Sequence, residues 1–222
     1  MRSLKEEMMT EEPRGREFDL VIEQTVAPFD LEWVRGASQA EDNLGWNASY
    51  RRLPQFAWKT VKEVIRLERD TIDQICTSVD LETGYDRWIH AVDQGDASPL
   101  IGFDLGTNAL TAALRAGRHL PYYSCNGGAF GDDHNDEHPV IGVLCRRPLL
   151  SFLLDAARES GVGLVSNQMQ GITAYCRTVD AFIDMAEGLY DRRSEMAAIS
   201  IREPKGQPGS AAEADDRQGT LF

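Results

Sequence analysis

Thiol, imidazole and carboxylate groups crowd into one short stretch of this chain. Cys125-Asn126-Gly127-Gly128-Ala129-Phe130-Gly131 runs into Asp132-Asp133-His134-Asn135-Asp136-Glu137-His138, which holds four acids, two histidines and no Lys or Arg. Glycines at 127, 128 and 131 let the backbone turn sharply or approach a ligand closely. His134, Asp136 and His138 are candidate ligands for a divalent metal, with Cys125 as a soft donor suited to zinc. Ser124, Cys125, Asn126, Gly127 and Gly128 are candidates for holding a ligand along the turn. Cys125 acting as a nucleophile with His134 or His138 as base is a further option, though no cation close in sequence lowers its pKa. The plain alternative is a solvated polar loop beside a small buried thiol. Cys76, Cys145 and Cys176 stand singly with no C-x-x-C pair. Reduced thiols and a cytoplasmic location are the simplest expectation.

A second stretch, Leu100-Ile101-Gly102-Phe103-Asp104-Leu105-Gly106-Thr107, resembles the first phosphate loop of the actin and Hsp70-like ATPases. There an Asp serves the metal and backbone amides approach phosphate. The residues that follow, Asn108 to Arg115, favour helix over the β-hairpin of that family. The expectation is that Asp104 and Thr107 cap a helix, with Gly106 making the turn.

These groups need elements to position them. Phe18 to Glu23 reads as a short strand, and Thr25 to Pro54 as a long loop. Val61, Val64, Ile65, Ile72 and Ile75 recur at helical spacing and predict a helix over about 55–77. A second helical piece covers about 85–92, and Asp96-Ala97-Ser98-Pro99 reads as a boundary. Beyond it the pattern is more regular. Helices are expected over 108–116, 148–160 and 178–191, the last with Thr178 as N-cap, and strands over 122–124, 140–144, 163–166 and 172–175. Gly and Pro punctuate these elements. The sequence therefore predicts an α/β fold, a two-layer sandwich of a mixed sheet with helices on one face, preceded by a mainly helical N-terminal half. Four regions follow: a flexible arm over 1–17, a mainly helical part over 18–98, the sandwich over 99–202, and a disordered tail over 203–222.

The segments Tyr123-Ser124-Cys125-Asn126-Gly127, His138-Pro139-Val140-Ile141-Gly142-Val143 and Glu159-Ser160-Gly161-Val162-Gly163-Leu164 resemble the core of the wybutosine-synthesis family. That family carries a Ser-Ser-Cys-Ser-Gly-Arg motif, and here Gly128 stands where it has Arg. The resemblance spans roughly residues 108–192. It implies an enzyme acting on a nucleotide or nucleic acid, with S-adenosylmethionine as cofactor and methylation of a modified tRNA base as the family's chemistry.

Charge and the far terminus narrow the partners. Lys and Arg total 23 against 36 Asp and Glu, a formal charge of −13. Direct nucleic-acid binding as the main source of affinity is not supported by that balance, although a local basic groove is compatible with it. No apolar run approaches the length that spans a bilayer, and the charged start does not read as a signal peptide, so no membrane association is expected. The last residues, Gln218-Gly219-Thr220-Leu221-Phe222, resemble the bacterial sliding-clamp-binding motif, a Gln followed after two residues by a Leu-Phe pair. Leu221 and Phe222 would enter an apolar groove while the Gln218 amide hydrogen-bonds at its mouth. A Gly/Pro/Ser/Ala/Asp linker precedes the motif and can present it. The leading expectation is a cytoplasmic accessory protein of DNA replication, repair or mobile elements, tethered to the sliding clamp, whose α/β body binds a ligand. The alternatives are the nucleotide-directed enzyme and a pure protein-interaction module.

Overall fold

The computed structural model describes residues 14–28, 31, 50, 53–98, 100–131, 134–168 and 170–202. Most of the expected N-terminal arm, much of the long loop, Asp132, Asp133 and the tail with Gln218, Leu221 and Phe222 lie outside them.

The apolar stripe Val61, Val64, Ile65, Ile72 and Ile75 becomes the buried face of helix α1, Trp58–Cys76. Full burial of each such side chain contributes about 1.5–3 kcal/mol. Helix α2, Leu81–Gln94, begins earlier than its apolar spacing predicts because Asp80 caps it. Asp80 Oδ1 accepts from Thr83 N at 2.8 Å, and Thr83 Oγ1 donates to Asp80 Oδ2 at 3.0 Å. Gly95 ends the helix with a left-handed φ of 79°.

The second half carries helix α3 (Asn108–Ala116), strands β2 (Leu120–Cys125) and β3 (Val140–Leu144), and a 3-10 turn Arg147–Leu149. Helix α4 (Leu150–Ser160), strands β4 (Gly163–Ser166) and β5 (Ile172–Tyr175), and helices α5 (Val179–Asp191) and α6 (Arg193–Arg202) follow. Pro148 opens a 3-10 turn rather than α4 itself. Thr178 has the extended backbone of an N-cap, but its side chain makes no capping bond. Helix α6 has no apolar stripe to announce it, and Met196 is its buried anchor. The first strand also differs from expectation: β1 is Gln24–Thr25. Residues 16–23 have no assigned strand, with Phe18 inward and Val21 75 % exposed, although Glu23 O accepts from Leu164 N of β4 at 2.8 Å. Phe18 N reaches Arg177 O at 2.9 Å.

The strands form one five-stranded mixed sheet in the order β1-β4-β5-β3-β2, with β1 parallel to β4 and every other pair antiparallel. Helices α3, α4 and α5 supply Leu110, Leu114, Leu153, Phe182 and Ile183 to a core shared with Ile141, Val143, Leu164 and Ile172 of the sheet. Helix α1 packs on α3 and α5, so the helical N-terminal half rests on the outer side of this helical layer. Among the described residues no helix is long and apolar enough to cross a membrane.

The face of the sheet away from the helices is set by register. Pairing slips between Pro121 and Tyr123, which places a bulge at Tyr122. Because a bulge breaks strict alternation, Tyr122 and Tyr123 both reach the open face. Tyr122 packs there with Leu120 and Leu144 in a small apolar cluster, with Tyr123 against it. Its ring lies over Gly142, where a Cβ would stand only 2.7 Å from it.

Candidate functional site

Helix α3 runs away from residue 107 and β2 runs back to Cys125, so the segment before the helix meets the end of the strand. Asp104 and Cys125 become neighbours across 21 residues of sequence by this out-and-back path. The path is locked by a side chain from α1. Glu68 is fully buried, and its carboxylate accepts from Gly106 N (2.8 Å), Asn108 N (3.0 Å), Asn108 Nδ2 (2.9 Å) and Ala109 N (2.7 Å). Burial pushes its carboxyl pKa up, and these four donors pull it back in part.

This bears directly on the phosphate-loop resemblance. The amides that would receive phosphate are taken by Glu68, and residues 100–107 form turns rather than a strand. The expected capping by Asp104 and Thr107 is corrected as well. Thr107 is the N-cap residue, but its Oγ1 donates back to Asp104 O at 2.7 Å, and Glu68 does the capping. Gly106 makes the turn, with φ 92° and Val179 where a Cβ would stand.

At the end of β2 the backbone turns on Gly127 and Gly128, with φ 65° and 72°. Gly127 admits no side chain, because a Cβ would lie 2.2 Å from the carbonyl carbon of His138. Asn126 is fully buried and braces the turn: Gly128 N donates to its Oδ1 at 3.0 Å, and its Nδ2 donates to Leu105 O at 3.2 Å. Ser124 accepts from Tyr50 OH at 2.5 Å and lies 3.3 Å from Thr107 Oγ1. Ser124, Asn126, Gly127 and Gly128 thus hold the architecture of the turn.

Cys125, His134 and Asp104 come together. His134 Nδ1 lies 3.4 Å from Cys125 Sγ and 3.7 Å from Asp104 Oδ2. All three donor atoms fall within 4.8 Å of one another. Cys125 is buried, while the His134 and Asp104 side chains are 15 % and 37 % exposed. Asp136 and His138 are not members of this group. The Asp136 carboxylate accepts from Tyr123 OH, and the His138 ring stands edge-on to Tyr175 at 6.0 Å.

The geometry discriminates between two chemistries. A nucleophile–base–orienter triad uses both nitrogens of the imidazole, one for the thiol and one for the carboxylate. Here thiol and carboxylate face the same nitrogen. Converging donors are what a cation needs, and tetrahedral zinc at about 2.3 Å from sulfur and 2.0–2.1 Å from nitrogen implies an S···N edge of about 3.5 Å. The surroundings agree. Burial pushes the Cys125 thiol pKa up; the Gly127 and Asp136 amides lower it, and the Asp136 and Asp104 carboxylates raise it. An activated nucleophilic thiol wants neighbouring positive charge, whereas carboxylates favour a bound cation that would deprotonate the thiol itself.

Beside this group, on the open face of the sheet, lies a cavity of about 480 Å³. Tyr122, Tyr123, Val140 and Gly142 line it together with Asp136, Asn167, Gln168 and Thr173. Asn167 fixes its wall by donating to Tyr122 OH at 2.7 Å and Thr173 Oγ1 at 3.0 Å. Asp136 belongs both to this wall and, through its amide, to the surroundings of Cys125. No protein-family model, curated protein or solved structure matches the chain.

Proposed function

We propose that Asp104, Cys125 and His134 bind a zinc ion and leave one coordination position open, and that the chain is a metal-dependent enzyme whose substrate sits in the tyrosine-lined cavity. The observation that carries this reading is the convergence of Cys125 Sγ and Asp104 Oδ2 on a single nitrogen of His134. One sulfur, one nitrogen and one oxygen suit zinc, and three protein ligands with a vacant fourth position are the catalytic pattern. The ion would polarise a substrate oxygen or lower the pKa of a bound water. The amides of Gly127 and Asp136 would support the thiolate from outside the coordination sphere.

Metal analysis of the purified chain after equilibration with zinc tests this. One zinc per chain is expected, and cobalt substitution should give the intense near-ultraviolet band of a cobalt–thiolate bond. Cys125→Ser should remove that band. A chain that takes up no zinc or cobalt overturns the reading.

The terminal pentapeptide supports a second, independent role in tethering the chain to a sliding clamp. Its support is the Gln218, Leu221 and Phe222 pattern behind a polar linker. Burial of Leu221 and Phe222 would contribute on the order of 3–6 kcal/mol before the ordering cost of the tail. Titration of the tail peptide against purified clamp measures it.

A further inference from the structure

The negative charge of the chain is unevenly laid out. No Asp or Glu occurs from Leu105 to Gly131 or from Pro139 to Leu154, and these two stretches carry Arg115, Arg118, Arg146 and Arg147. Pairing of β2 with β3 brings the stretches together at the end of the sheet opposite Cys125, where Leu120 faces Leu144. Just beyond, Arg146 N donates to His119 Nδ1 at 3.2 Å.

Three features of this corner are costly in the free protein. Arg118 takes the left-handed position that closes α3, with φ 62°, although Gly117 stands immediately before it with φ −73°. Placing a non-glycine residue there costs roughly 1–2 kcal/mol. Burial first, and the nearby Arg118 charge second, hold the Arg146 guanidinium below its ordinary range, which places the two arginines close to each other. His119 is fully buried, and since its Nδ1 accepts from Arg146, its proton resides on Nε2. That N–H has no hydrogen-bond partner among the described residues.

A cavity of about 340 Å³ opens beside these groups, lined by Trp58, Gln55, Gly117, Arg118, Leu149 and Met196 among others. Leu149 N donates to Arg146 O at 2.9 Å, so one wall of the cavity and the second arginine belong to one turn. Helix α4 begins directly after, with no acid in its first turn. The cavity thus has an aromatic wall at Trp58, an apolar floor at Leu149 and Met196, and the Arg118 cation in its lining.

We propose that this cleft binds a nucleoside monophosphate, with its base against Trp58 and its phosphate on Arg118 and Arg146. Guanidinium groups match phosphate geometry, and an indole face suits a planar heterocycle. The site is separated from the Asp104–Cys125–His134 group by the length of β2 and does not depend on it.

Calorimetric titration of the full chain with AMP, adenosine and inorganic phosphate as separate probes tests the proposal. AMP should saturate one site per chain and bind at least about 10-fold more tightly than adenosine or phosphate, since a charge-assisted contact is worth that much or more. Arg118→Asn, whose new side chain tolerates the left-handed backbone, should weaken AMP about 10-fold or more with an unchanged melting temperature. Arg146→Gln should do the same while keeping the amide that serves His119. Trp58→Leu should weaken AMP and leave phosphate unaffected. Absence of saturation at millimolar AMP, or AMP affinity unchanged by Arg118→Asn, overturns the site. Equal affinity for AMP and phosphate overturns the nucleoside assignment.

Discussion

Asn108 donates twice to the Glu68 carboxylate, through its backbone amide at 3.0 Å and through its side-chain Nδ2 at 2.9 Å. A residue of one helix thereby closes the N-terminus of another, and the bonds from Gly106 and Ala109 complete the seal. Glu68→Ala would strand these donors in the interior, at about 1–3 kcal/mol for each one left unsatisfied. A loss of several kcal/mol is expected in urea denaturation. Glu68→Gln, which keeps one acceptor oxygen, should lose less. Equal stability of Glu68→Ala and the native chain would remove the capping role.

The two histidines of the acidic loop should separate cleanly. His134→Ala is expected to lower zinc affinity by a factor of 100 or more, since it removes one of three ligands, each worth several kcal/mol in a site of this kind. His138→Ala should leave stoichiometry intact, because that ring stacks edge-on against Tyr175. Competition with a chromogenic chelator measures both. Loss of metal in His138→Ala alone would move the centre to a different ligand set.

Acid should act on the fold through His119. Burial, reinforced by Arg146, holds its pKa at about 4 instead of 6.5. Between those values the unfolded chain binds the proton and the folded chain does not, so stability is lost as pH falls from 6.5 towards 4. The shift corresponds to on the order of 3 kcal/mol. His119→Asn, whose Oδ1 takes the place of Nδ1 and can still accept from Arg146 N, should show a flatter profile across that window in paired urea titrations at pH 4 and 6.5. Parallel profiles for the two proteins would assign the acid sensitivity elsewhere.

The tail prediction concerns binding alone. Leu221→Ala combined with Phe222→Ala should abolish clamp binding and leave the melting temperature unchanged. Gln218→Ala should weaken binding less, since one neutral hydrogen bond nets about 0.5–1.5 kcal/mol. Salt should have little effect, because the contacts are mainly apolar. Peptide titration in which the double substitution makes no difference would reduce the motif to coincidence.

Much of the sandwich is legible in the sequence because its elements are short, apolar and bounded by Gly or Pro. The bounds of α3, β3, β4 and β5 read directly. Helix α6 does not, since Met196 is the one strongly buried side chain among its described ones and no periodicity surrounds it. The start of α2 depends on the Asp80–Thr83 cap, which apolar spacing ignores. At the candidate site Cys125 and His134 share one loop, so their proximity is local. Asp104 reaches them only through the return of β2 along α3, a tertiary fact with no sequence spacing of its own. Glu68 did leave a signal: it is the lone acid on the buried stripe running from Val61 to Ile75. An acid in that position must find donors, and the helix that supplies them lies in another part of the chain.

The place of β1 in the sheet has a consequence for the order of events during folding. Gln24 and Thr25 pair with Leu164 and Val165, and the neighbouring bond from Ala27 N to Ser166 Oγ spans 139 residues. Closing so large a loop costs entropy that two ladder residues cannot repay by themselves. During synthesis the segment leaves the ribosome first, yet it has nothing to pair with until β4 has emerged and packed. The first strand among the described residues is therefore expected to be the last to join the sheet. Until it does, the β4 edge stands uncovered, and a nascent or partly unfolded chain is most exposed there to pairing with another copy.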